Sequence, residues 1–110
     1  MIVDDSNNIY MIKGDNVPLY LKLEDNIFES GSIIYLTVKR FISSDTIDLQ
    51  KIYTVTEDTD TIGYILTAND TKNLSAGNYK YEIKVKDKNS EYTTLYQGML
   101  YLGETVNELL

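Results

Sequence analysis

Apolar and polar residues alternate along much of this chain. Val17, Leu19, Leu21 and Leu23 take every second place, separated by Pro18, Tyr20 and Lys22 and followed by Glu24. A period of two is the mark of a β-strand with one buried face and one wet face. Pro18 stands near the start of that strand, where a missing N–H donor is tolerated. The pattern returns over residues 33–41, where Ile34, Leu36 and Val38 read as inward and Tyr35, Thr37 and Lys39 as outward. It is clearest over residues 79–86, where Tyr79, Tyr81, Ile83 and Val85 alternate with Lys80, Glu82, Lys84 and Lys86.

Other segments carry weaker versions. A short first strand is expected over residues 9–13, and a further strand over 62–67 with Tyr64 and Leu66 inward. Residues 49–56 read as a strand whose facing stays open, because Ile52, Tyr53 and Val55 break the alternation. The last strand is expected over 92–102, with Gly98 marking a bulge or a close backbone approach. Turn signals separate these runs: Gly14-Asp15-Asn16, Asp25-Asn26, Ser30-Gly31-Ser32, Ser43-Ser44-Asp45 and Asp87-Lys88-Asn89-Ser90. Either Thr67 or Asn69 can cap a single helical turn before Leu74, which drops toward the core.

The tally is about seven short strands at regular spacing with no long helix, which favours an all-β sandwich or barrel. Strand–helix–strand alternation, the signature of a parallel sheet, is absent. The lead-in Leu74-Ser75-Ala76-Gly77-Asn78-Tyr79 resembles the corner before strand F of an immunoglobulin-like sandwich, where a tyrosine hydroxyl ties back onto upstream backbone. Either Tyr79 or Tyr81 anchors that corner and the other lies in the core; the competing reading has them stacking on a sugar or a partner. The expected fold is an immunoglobulin-like antiparallel β-sandwich of about seven strands, divided as a flexible arm (1–8), one domain (9–103) and a short tail (104–110).

Length and composition narrow the function. At 110 residues the chain is one domain able to bury a core without staples. It has neither histidine nor cysteine. The commonest general base, the thiol nucleophile, disulfides and most transition-metal ligands are therefore missing. A net charge of −7 disfavours nucleic acid, and Arg40 is the sole arginine. The lysines read as interleaved with acids on solvated strand faces. No uncharged apolar run is long enough for a membrane span, and Met1-Ile2-Val3-Asp4-Asp5 lacks the basic and apolar regions of a secretory signal. The expected site of synthesis is the cytosol.

Two carboxylates can hydrolyse a glycoside, which makes Glu57, Asp58 and Asp60 the only acids worth weighing for catalysis. The same loop can offer oxygen ligands to calcium, but Asp58-x-Asp60 lacks the glycine and distal glutamate of an EF-hand loop. Asp4, Asp5 and Asp15 make no better group. A solvated charge run accounts for all of them, so no catalytic, cofactor or metal residue is assigned and no enzyme is expected. Gly77 reads as a positive-φ corner, a structural role. Ten tyrosines without a tryptophan read as strand surface and core lining, or as protein contacts.

Between Ile12 and Leu102 the order of these marks resembles a family of small β-sandwich domains from tailed bacteriophages, among them the N-terminal domain of the phage baseplate upper protein. The marks are Lys13-Gly14-Asp15 before a strand, the Leu19–Leu23 strand with its acidic turn, and the run from Gly31-Ser32-Ile33 to Lys39-Arg40. They continue through Ile65-Leu66-Thr67-Ala68-Asn69-Asp70-Thr71 and Leu74–Ile83 to Tyr96-Gln97-Gly98-Met99-Leu100-Tyr101-Leu102.

The resemblance implies a non-enzymatic structural or assembly module of a virion or phage-like particle, in the baseplate, neck, tail or capsid. It would contact other phage structural proteins or copies of itself. The alternative is a carbohydrate- or cell-surface-binding sandwich. Open sheet edges, expected at the first and last strands, invite strand addition. Val106, Leu109 and Leu110 would give the tail apolar anchors.

Overall fold

In the computed structural model, which describes residues 2–3, 5–23, 25–41 and 46–104, the chain is all-β apart from one short helix. The strands are β1 (Ile2–Val3), β2 (Ile9–Ile12), β3 (Val17–Lys22), β4 (Ile33–Lys39), β5 (Leu49–Thr54) and β6 (Thr61–Leu66). After helix α1 (Ala68–Thr71) come β7 (Gly77–Lys86) and β8 (Tyr92–Gly103). One sheet runs β1-β2-β8-β7-β4-β5 and the other pairs β3 with β6. Among the described residues no helix is long and apolar enough to cross a membrane.

The alternation dictates the packing. Val17, Leu19 and Leu21 of β3 are buried, as are Ile34, Leu36 and Val38 of β4 and Tyr79, Tyr81 and Ile83 of β7. They meet Ile62 and Leu66 of β6 and Leu100 and Leu102 of β8 in one apolar cluster, so the two sheets share a single core. Phe28 and Val55, from the loops at one end, plug it. Phe28 is held there by a reciprocal backbone pair with Thr59. Burying a side chain of this size removes roughly 1.5–3 kcal/mol worth of apolar surface from water.

Several expectations need correction. The sheet is mixed, not antiparallel: β2 lies parallel to β8, pairing Ile9 with Leu100 and Met11 with Leu102. Period two sets facing but carries no information on partner or direction. An extra strand, β1, lies within the segment 1–8 and pairs antiparallel with β2. The edges of the large sheet are therefore β1 and β5, whereas β8 has β7 on one side and β2 on the other along Leu100–Gly103. The bulge in β8 falls at Leu95, where the register slips between Ile83–Tyr96 and Lys84–Thr94.

Gly98 serves the other expected role, close approach. A Cβ there would sit 2.5 Å from the carbonyl oxygen of Asn7. The chain enters β2 across the inner face of β8, and the missing side chain makes the room. Asn8 continues the pairing, its side-chain oxygen accepting the N–H of Met99 at 2.9 Å. The inward reading of Tyr64, and the tail residues Val106, Leu109 and Leu110, lie outside the described residues.

Opposite the Phe28 end, α1 is knotted to the β2–β3 turn. The backbone N–H of Gly14 donates to Oγ1 of Thr71 at 3.0 Å, and that of Ala68 to Oδ1 of Asn16 at 2.9 Å. Thr67 is the N-cap residue, and its N–H donates to Oδ2 of Asp70 at 2.7 Å. Thr71 is fully buried, so its hydroxyl has no water to fall back on.

Candidate interaction surface

The second sheet covers the inner face of the large sheet, while among the described residues no element forms a layer over the outer face. Cross-strand registers place its residues. Lys39, Thr37, Tyr35 and Ile33 of β4 stand beside Lys80, Glu82, Lys84 and Lys86 of β7. These in turn face Met99, Gln97, Thr94 and Tyr92 of β8. On the far side of β4, β5 adds Gln50, Ile52 and Thr54. On the far side of β8, β2 adds Tyr10 and Ile12.

Two aromatic corners frame this face. Tyr35 and Tyr92 approach with ring centroids 6.3 Å apart, beside the exposed Ile52. At the other corner Tyr10 and Tyr101 stack at 4.7 Å. Between them runs a groove of about 500 Å³ lined by Lys39, Lys80, Glu82, Gln97 and Met99 among others.

The charges on this face do not match the interleaving expected of the lysines. Among the described residues four lysines, Lys39, Lys80, Lys84 and Lys86, share it with one acid, Glu82. Glu82 is already engaged, by Lys84 at 3.6 Å and by the side-chain amide of Gln97 at 2.9 Å. Lys86 leans over the Tyr92 ring at 5.8 Å. In a chain of net charge −7 this face is locally positive.

The compensating acids gather in three loops at the Phe28 end. The β3–β4 loop carries Asp25 and Glu29; the β5–β6 loop carries Glu57, Asp58 and Asp60; the β7–β8 hairpin carries Asp87 and Glu91. The loops are bonded together: the N–H of Ser30 donates to Asp58 Oδ1 at 2.8 Å, and Lys88 pairs with Glu29 at 3.2 Å. Lys88 is the one lysine within these loops.

The carboxylates weighed for catalysis or calcium thus lie on an exposed rim. Asp58 binds a backbone N–H and Asp60 accepts the Thr61 hydroxyl at 3.0 Å. Among the described residues no three acids cluster closely enough to hold a metal ion. Asp15, in the β2–β3 turn, is at the opposite end of the molecule.

The two tyrosines singled out in β7 both serve the interior. Tyr79 is 2 % exposed and donates its hydroxyl to the carbonyl of Ser75 at 2.6 Å, forming the corner. The Arg40 guanidinium sits 4.9 Å over its ring. Gly77 leaves space for that guanidinium: its φ is +145°, and a Cβ there would crowd Arg40 at 3.3 Å. Tyr81 is 5 % exposed and donates its hydroxyl to the carbonyl of Asn7.

The sequence reading missed a half-buried ion pair. Lys51 points inward from edge strand β5, opposite Leu36, and reaches Asp70 Oδ2 at 2.8 Å. Burial works to raise the Asp70 pKa. The hydrogen bonds from Lys51 and from the backbone and side chain of Thr67, with the Lys51 charge, outweigh it and hold the carboxyl below its usual range. An inward charge on an edge strand also guards that edge against pairing with another chain.

A scan against known family models, a search of curated proteins and a search of solved structures each found no match to this chain.

Proposed function

We propose that this chain is a non-enzymatic assembly module that works through protein–protein contacts, built as an immunoglobulin-like sandwich and serving in a tailed-phage or phage-like particle. The fold part of this reading is supported by strand order. Taken in sequence, β3, β4, β5, β6, β7 and β8 correspond to strands B, C, C′, E, F and G. B pairs with E, and C′, C, F and G lie side by side, as in that architecture. The Tyr79–Ser75 bond falls at the start of the strand that corresponds to F, where the tyrosine corner belongs.

The observation that carries the functional part is the uncovered outer face of the six-stranded sheet. Tyr10, Tyr92 and Ile52 are all at least 40 % exposed there, and four lysines lie among them. Aromatic residues on a rigid support, with polar groups around them, are the composition of contact surfaces. Glu57, Asp58 and Asp60 sit exposed on a rim of loops, an arrangement suited to contact and not to acid–base chemistry. The phage assignment rests on the resemblance between Ile12 and Leu102.

Density-purified particles from the cells that encode the chain test this reading. Peptides of the chain should co-purify at a fixed copy number relative to other particle proteins. Their absence from particles, with the chain abundant in the cleared lysate, would overturn it.

A further inference from the structure

The outer sheet face and the loop end of this molecule are electrostatic complements. The face carries Lys39, Lys80, Lys84 and Lys86 against Glu82. The three loops carry seven described acids against Lys88. We infer that the acidic loop end of one copy docks on the basic outer face of the next, so that the chain self-associates head to tail.

The two patches are different surfaces of one molecule, so the contact is heterologous. Each copy that uses its end still offers its face, and repetition gives a ring if the rotation closes or a filament if it does not. Apolar anchors accompany the charges on both sides. Ile27 stands out of the acidic end, 46 % exposed. The face presents Ile52 at 59 % and Tyr92 at 58 %, next to Tyr35. The loop end is firm enough to act as a plug, because Phe28–Thr59, Ser30–Asp58 and Glu29–Lys88 tie its loops together.

Strand addition at β3 or β5 is the weaker route to self-association. The edge of β3 is blunted by Pro18, which lacks a donor, and the edge of β5 by the inward Lys51. The inference deepens the assembly reading by naming a second copy as partner, and it rests on that reading only in assigning the face to protein contact.

Sedimentation velocity on the full chain tests it, comparing about 20 mM with about 500 mM salt, since screening weakens a contact of this kind. Two variants break opposite halves: K80E/K84E reverses the face, and E57K/E91K reverses the end. Unchanged far-ultraviolet dichroism shows that each has folded. The wild type should grow in mass with concentration at low salt and return to monomer at high salt. Each variant alone should lose association at least tenfold. Their equimolar mixture should regain it, because the first retains an acidic end and the second a basic face.

Wild type that stays monomeric at low salt up to about 1 mM, where even a weak contact would register, overturns the inference. So does a mixture that fails to recover. A chain that is monomeric in solution yet present in purified particles would sink this inference and leave the assembly reading standing.

Discussion

The hydroxyl of Tyr79 donates to the carbonyl of Ser75, four residues upstream, and so closes the corner that aims β7 into the centre of the large sheet. The bond links a local turn to the long strand that organises its neighbours. Removing the oxygen alone, in Tyr79→Phe, keeps the ring in the core and under Arg40. The expected cost is about 0.5–1.5 kcal/mol in urea unfolding, with the m-value unchanged. A variant as stable as wild type would remove the corner from the account.

Gly98 is predicted to be intolerant of even one methyl group. The added Cβ would meet the Asn7 carbonyl at 2.5 Å. That carbonyl is pinned from below by Tyr81, and its neighbour Asn8 is bonded to Met99. Gly98→Ala should lower stability by about 1–3 kcal/mol through overpacking. Amide exchange should rise first across the β2–β8 pairing, where the displaced strand is attached.

The Asp70–Lys51 pair should make stability acid-sensitive. The folded-state pKa of Asp70 is lowered, so the carboxylate's contribution is complete above the unfolded value near 4. It is lost as pH falls through the lower folded value. Asp70→Ala should cost about 1–2 kcal/mol at neutral pH, since it removes both a cap and an ion pair. The gap between variant and wild type should narrow as pH falls below the unfolded value and on through the lower folded one. A gap that persists unchanged in acid would mean that the charge is not what matters.

Thr71 separates a hydroxyl from a methyl. Thr71→Val keeps the shape but leaves the Gly14 N–H without its partner, and should cost about 1–3 kcal/mol. Thr71→Ser keeps the bond and gives up one methyl group, and should cost about 1 kcal/mol. Thermal unfolding of the pair should therefore rank valine below serine.

Facing was legible in the sequence wherever a strand has one buried side. Ile34, Leu36 and Val38, and likewise Tyr79, Tyr81 and Ile83, lie inward as their alternation required. Facing was not legible in β5, because an edge strand buries little and its inward positions include Lys51. Strand direction was hidden as well: nothing in Ile9–Ile12 says that it will lie parallel to Leu100–Gly103. The basic face was missed for a related reason. Along β7 the lysines share their row with Glu82, and Lys39 joins them only through the β4–β7 register. The acidic end likewise exists only once three loops, distant in sequence, are brought together through Phe28, Ser30 and Glu29.

The central claim is that the outer face of the large sheet is the working surface of an assembly module. Its most direct test compares wild type with K80E/K84E for incorporation into purified particles, with both proteins folded and expressed equally. The account predicts wild type at a fixed copy number and the variant depleted at least tenfold. Equal incorporation of the two, or no incorporation of wild type, would contradict it.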